Sequence, residues 1–139
     1  MPSNFNWNIR VYYEDTDTGG VVFYANYLKF FERARTEWLR AAGVSQQTLT
    51  QVHGVIFIVK STSLDYHAPA KLDDELKLTV VVERQGRASV NFMQEAWRIT
   101  ETGQELLTTG RIKVGCVDIA TFRPTAIPDD VLQKIRKIE

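Results

Sequence analysis

"ANYLKFFERARTEWLRAAG", residues 25–43, carries the period that decides the fold. Tyr27, Phe31, Ala34, Trp38 and Ala41 or Ala42 recur at steps of three and four, while Lys29, Glu32, Arg33, Arg35, Glu37 and Arg40 fill positions between them. That spacing gathers the apolar side chains into one stripe and predicts an amphipathic helix of about five turns. Asn26 suits its N-cap, where a side-chain oxygen accepts from a first-turn amide, and Gly43 suits the left-handed residue just past its end.

Downstream, "SQQTLTQV" (45–52) adds a short turn of helix, and the rest reads as strand. The segments "VIFIVKSTSLDYH" (55–67), "ELKLTVVVERQ" (75–85), "SVNFMQEAWRIT" (89–100) and "ELLTTGRIKVGCVDI" (105–119) are rich in β-branched and aromatic residues. "APAKLDD", "GRA" and "ETGQ" separate them. Connections so short make the last three segments antiparallel neighbours and exclude parallel crossovers. Upstream, "NWNIRVYY" (6–13) alternates as a first strand that Gly19 and Gly20 end or bend. "DDVLQKIRKIE" (129–139) reads as a closing helix, with Asp129 and Asp130 at its positive end and Lys134, Arg136 and Lys137 toward its negative end. One strand, one long helix and four long strands predict a single α+β domain over residues 1–139, an antiparallel sheet of about five strands wrapped around the helix. The edges of such a sheet call for cover, and a second copy of the chain is the obvious source.

Composition narrows the function classes. The chain has 139 residues, enough for one domain with a real core. Its 17 Lys and Arg balance 17 Asp and Glu without any long block of one sign, which argues against nucleic acid or an anionic membrane as the main partner. No window approaches the roughly 18 apolar residues of a membrane span. The opening "MPSNFNWNIR" has no basic region followed by an apolar one, so the expected compartment is the cytoplasm. Cys116 is the single cysteine, set among alternating apolar residues, and is read as a packed core thiol. With His53 and His67 the only histidines, neither a disulfide nor a zinc cluster is expected.

The stretch "RVYYEDTDTGGVVFYANYLKFFERARTEWL" (10–39) resembles the signature of the 4-hydroxybenzoyl-CoA thioesterase family of hotdog-fold enzymes. A strand ends in Thr-Asp, and Gly-Val-Val and an Asn-Tyr helix start follow. "SQQTL", "YHAPAKLDD" and "CVD" extend the similarity over nearly the whole chain, toward the acyl-CoA thioesterases associated with the Tol-Pal system of Gram-negative bacteria. The resemblance implies a hotdog fold in a homodimer or homotetramer that hydrolyses acyl-CoA to free acid and coenzyme A. It implies no cofactor, coenzyme A being part of the substrate. An acyl carrier protein is the alternative partner.

Carried over residue by residue, the resemblance makes Asp17 the acid that attacks the thioester carbonyl or activates water. Tyr24 then offers its backbone N–H to the carbonyl oxygen. Thr16, Gly20, Val21, Asn26 and Tyr27 become candidate substrate contacts. Arg87, in the turn "QGRAS", stands where relatives carry a basic phosphate contact, with Lys60 second and Arg84 and Lys113 behind it.

The residues themselves agree with a carboxylate mechanism. A thioester needs a nucleophile or activated water and donors where negative charge develops. The chain has no Ser-His-Asp or Cys-His set and no G-x-S-x-G motif. Asp17 lies within ten residues of a helix N-terminus whose unpaired amides can polarise a carbonyl, and Thr16 or Thr18 is the expected donor to its charge. Each reading has a plainer rival. An Asp beside Gly-Gly is by type alone a turn former. Glu14 and Asp15 read as turn or solvent-facing residues. Glu32 is the second candidate acid, expected to be ion-paired with Lys29 and Arg35. His67 reads as a strand-end histidine satisfied by backbone. Tyr27, Phe30, Phe31 and Trp38 read as core first and acyl-pocket wall second. Two other classes stand beside the hydrolase: a non-hydrolytic acyl-CoA binding module, and a dehydratase, which residues 14–27 disfavour because they contain no histidine.

Overall fold

The computed structural model describes residues 5–138. Its long helix, α1 (Asn26–Ala41), buries Tyr27, Phe30, Phe31, Ala34, Trp38 and Leu39, the stripe the 3.6-residue period sets out. Each of the large side chains is worth roughly 1.5–3 kcal/mol once removed from water, so this face is what holds the helix to the sheet. The helix stops at Gly43, whose φ of 87° belongs to the left-handed region that glycine enters freely. Beyond it Ser45 caps a short segment, α2 (Gln46–Thr48), by accepting from the Thr48 amide at 3.0 Å, and a wide turn over Leu49–His53 leads into the sheet.

Six strands form that sheet: β1 (Asn6–Arg10), β2 (Val55–Tyr66), β3 (Glu75–Thr79), β4 (Val81–Gln85), β5 (Ser89–Thr100) and β6 (Gly103–Asp118). Their order is β1-β3-β5-β6-β2, with β4 also paired to β5, and every pairing is antiparallel. The sheet curls around α1 as an α+β hotdog architecture. A bulge at Lys60 in β2, and register shifts in β4 and between β5 and β6, supply the bends. A closing helix, α3 (Asp129–Ile138), buries Val131 and Ile135 and keeps its acids first and bases last.

Three expectations change. The first strand ends at Arg10, because residues 13–15 coil into a 3-10 turn before either glycine is reached. "ELKLTVVVERQ" is two strands, not one, broken at Val80. The break takes Thr79 and Glu95 out of the β3-β5 ladder, although Thr79 still pairs with β1 and Glu95 with β6, and side chains join the two strands there: Thr79 Oγ1 accepts from the Glu95 amide at 2.9 Å, and Gln94 Nε2 donates to the Thr79 carbonyl at 3.4 Å. Asn26 does not cap α1. Ala25 holds the cap position, with no side-chain hydrogen bond, and Asn26 is the first helical residue, buried and turned back toward the preceding loop.

Candidate active site

The acidic loop closes as a small hairpin ahead of α1. Thr16 and Val22 form an antiparallel bridge, the Asp17 amide donates to Val21 O at 2.9 Å, and the Gly20 amide donates to Asp17 O at 3.0 Å. Gly20 takes φ 79°, which lets the chain reverse this tightly. The loop is tied to the scaffold by the Val22 amide on Ala70 O at 2.8 Å and the Phe23 amide on Asp15 O at 2.9 Å.

Within the loop the three acids separate. Glu14 is exposed as expected. Asp15 is not on the rim: it is 7% exposed, and its two oxygens accept from the Tyr12 amide at 2.9 Å and from Asn26 Nδ2 at 2.8 Å. A carboxylate in that position must be hydrogen-bonded to be tolerated, and these donors join the 3-10 turn, the loop and the first residue of α1. Asp17 is exposed; its Oδ1 accepts from the Gly19 amide at 2.8 Å, an Asx turn, while its Oδ2 accepts nothing among the described residues. Thr16 does not serve it, because the Thr16 hydroxyl donates to Tyr13 O at 2.9 Å.

The helix start supplies the opposing donor. The Tyr24 amide has no hydrogen-bond partner among the described residues, and its carbonyl accepts from Tyr66 Oη at 2.8 Å. Tyr24, Tyr27, Tyr66 and His67, with Val22 and the Ala68-Pro69 turn, line a cavity of about 320 Å³. Tyr27 is buried beneath it, 5.7 Å from the Tyr66 ring, and burial holds its phenol above the ordinary range. The Tyr66 phenol is raised too, first by burial and then by Tyr27 and Tyr24. His67 is satisfied by the Thr109 hydroxyl at 3.0 Å rather than by backbone.

The basic candidates lie elsewhere. Arg87 is exposed in the turn between β4 and β5, beside Ser89, which pairs with Gly115 in β6. Lys60 is the bulged residue of β2 and lays its stem over that same Gly115, where a Cβ would stand 2.7 Å from Lys60 Cε. Tyr66, beside the Tyr24 cavity, pairs with Thr108, seven residues back along β6, or about 23 Å at strand rise. One chain therefore brings Asp17, Gly20, Val21, Tyr24, Asn26 and Tyr27 to one end of the sheet and leaves Arg87 and Lys60 toward the other. Arg84 is exposed near the end of β4, and Lys113 is exposed on β6.

Two further relationships were not legible from residue types. Glu32 makes no ion pair with Lys29 or Arg35 among the described residues; Arg35 instead reaches across to Gln94 Oε1 at 2.9 Å. Gln94 is fully buried and also donates to Phe31 O at 3.1 Å, so it stitches α1 to β5. Burial pushes the Arg35 guanidinium down to about 10, partly countered by nearby Glu32. An odd Gln inside an alternating apolar strand is the only sequence signal for this contact. Among the described residues no three His, Cys, Asp or Glu side chains converge to hold a metal, and no helix is long and apolar enough to cross a membrane.

Comparison with known proteins follows the same lines. Residues 11–135 match the family model of the Thioesterase-like superfamily. The chain is 44% identical over 131 residues to the acyl-CoA thioesterase YbgC of Haemophilus influenzae, covering 94% of this chain and 93% of that one. It is 41% identical over 133 residues to the acyl-CoA thioester hydrolase YbgC of Escherichia coli O6:H1, covering 96% of each. Its fold superposes on a 1,4-dihydroxy-2-naphthoyl-CoA thioesterase from Synechocystis with a TM-score of 0.86 at 22% identity, over 96% of both chains.

Proposed function

The chain belongs to the thioesterase-like superfamily, and from that premise we propose that it hydrolyses acyl-CoA thioesters to a free acid and coenzyme A, in the cytoplasm where such thioesters occur. The single observation that carries the assignment of roles is the pairing of a half-satisfied carboxylate with an unpaired amide across one short hairpin. Among the described residues Asp17 keeps Oδ2 free while Gly19 fixes Oδ1, and the Tyr24 N–H at the helix start has no partner. The Asp17 carboxylate delivers the attack on the thioester carbonyl, as nucleophile or as base toward water. The Tyr24 amide, backed by the positive end of α1, meets the charge developing on the carbonyl oxygen. The bond to sulfur then breaks and coenzyme A leaves as its thiol, taking the proton given up by water; where Asp17 itself attacks, a water then hydrolyses the acyl-aspartyl anhydride, which frees the acid and restores the carboxylate.

The reading extends to a two-chain site. β2 has no neighbour on its outer side among the described residues, although it is 12 residues long. Antiparallel pairing of two such edges about a dyad would carry the Arg87 end of one chain toward the Asp17 region of its partner, which a single chain keeps apart, and would set Lys60, midway along β2, beside the dyad. Arg87 and Lys60 then serve as phosphate contacts across the interface.

Thiol release from a panel of acyl-CoAs, run with wild type and Asp17→Asn, tests the proposal. The variant should fold normally and lose roughly a hundredfold or more in rate. A folded Asp17→Asn protein that keeps the wild-type rate across the panel would remove Asp17 from the mechanism.

A further inference from the structure

The amide assigned to the carbonyl oxygen belongs to a turn that one side chain holds from outside. Phe23 O accepts from the Asn26 amide at 2.8 Å, so residues 23–26 form a β-turn whose central peptide joins Tyr24 to Ala25. Ala25, at φ −74° and ψ −14°, gives that peptide the type I orientation. Flipping it would demand a positive φ at Ala25, which a residue with a side chain resists. The amides of both central residues, Tyr24 and Ala25, lack a partner among the described residues.

Tyr24 O is the carbonyl of that central peptide. It accepts from no backbone amide, and its one partner among the described residues is Tyr66 Oη at 2.8 Å. Tyr66 is itself firmly seated. It ends β2 opposite Thr108, and the next two amides, of His67 and Ala68, both donate to Leu107 O, at 2.7 and 3.2 Å. Its ring stands edge-on to Tyr24 with centroids 6.5 Å apart, and lies 5.7 Å from buried Tyr27. Burial and those two neighbours raise its pKa, so the phenol stays protonated and remains a donor at neutral pH.

Donation into a peptide carbonyl has two effects. It fixes the plane of the peptide, and because Asn26 already holds Phe23 O, both peptides flanking residue 24 are then immobile. It also draws electron density toward the oxygen, which makes the N–H of the same peptide, that of Ala25, a stronger donor. A water molecule in place of the phenol would satisfy the carbonyl but impose no direction on it. Direction matters here, since a donor aimed at a developing oxyanion is effective only when it is preorganised.

We propose that Tyr66 is a positioning residue for the carbonyl-oxygen site: its hydroxyl holds the 24–25 peptide so that the turn amides meet the charge developing on the substrate oxygen, without itself touching the substrate. The inference rests on the reading of Asp17 and the Tyr24 amide as the reacting pair. The plainer alternative makes Tyr66 a wall of the Tyr24 cavity, a role its ring alone fulfils.

Tyr66→Phe tests this, because it keeps the ring and removes the hydroxyl at a position 48% exposed, where the fold should survive. With the acyl-CoA that wild type turns over fastest, kcat and kcat/KM should fall together by about fivefold or more while KM stays nearly constant. The direct readout is the carbonyl stretch, in difference infrared spectra, of ketone analogues of benzoyl- and octanoyl-CoA. In these a methylene between sulfur and the isotope-labelled carbonyl prevents hydrolysis. Bound to wild type, the stretch should lie below its value in buffer, and in Tyr66→Phe it should move back toward that value. A merely structural role would lower Tm and leave the stretch of bound analogue where it was. Wild-type kcat in Tyr66→Phe, or a fall in kcat with an unmoved stretch, would overturn the proposal and leave the hydrolase reading intact. If wild type hydrolyses no acyl-CoA, yet the stretch shifts on binding and relaxes in Tyr66→Phe, the hydrolase reading falls and the positioning role stands; with neither turnover nor a shift, both fall.

Discussion

Asp15 and Asn26 meet at 2.8 Å, side chain to side chain, and this bond joins the acidic hairpin to the first residue of the central helix. It sets the geometry between Asp17 and the Tyr24 amide without either of those residues taking part. Asn26→Ala should destabilise the fold by about 1–3 kcal/mol, since it leaves a buried carboxylate oxygen unpaired. Chemical denaturation measures that loss. Turnover under fully folded conditions should fall as well, because the hairpin loses its register against the helix.

Gln94 is the second stitch, and Gln94→Leu is the sharper test of it. The substitution takes a donor from Phe31 O and from Thr79 O and leaves the buried Arg35 guanidinium without its Gln94 acceptor. A drop of about 3 kcal/mol or more in unfolding free energy is expected, larger than for the loss of any single neutral hydrogen bond. A thermal shift within error of wild type would show that the helix does not need this contact.

At Gly110 the sheet packs closely against Phe31 of α1. A Cβ there would stand 2.8 Å from Leu64 Cδ2 and 3.0 Å from Phe31 Cε2. Gly110→Ala should therefore destabilise by about 1–3 kcal/mol through overpacking, and the reverse outcome, a gain in Tm, would mean the core yields there.

Burial raises the Cys116 thiol pKa. A raised acid favours its neutral form in the folded state, so the stability it contributes is full below the ordinary thiol range and declines as pH rises through the raised value. The stability difference between wild type and Cys116→Ala should accordingly shift against wild type on the alkaline side. Iodoacetamide should label the thiol slowly in the native protein and quickly in guanidinium.

The open edge of β2 makes a statement about mass. Sedimentation at assay concentration should give a dimer or tetramer, and a fully active monomer would refute the shared phosphate contacts of Arg87 and Lys60.

Helix α1 and the antiparallel long strands were legible because their periods are strong and their connections short. The break at Val80 was not, since "LTVVVER" offers one unbroken β-branched run and the interruption comes from the curl of the sheet. Asp17 could be singled out only through its motif. Asp15 could not be told from Glu14, because the difference between them is burial, and burial depends on Asn26 eleven residues away. Glu32 and Arg35 have helical spacing for an ion pair, but spacing says nothing of Gln94 waiting on a strand 59 residues further along.

The close approach of Phe31 to Gly110 bears on how the chain reaches this state. The central helix is made early and its seat nearly last, so a ribosome releases the whole of α1 long before β6 exists to receive it. Until then the aromatic stripe has no proper partner. Folding from the N-terminus cannot proceed stepwise, and the domain must condense only when the last strand has emerged. Truncation anywhere before β6 should yield not a smaller domain but a chain that holdase chaperones retain.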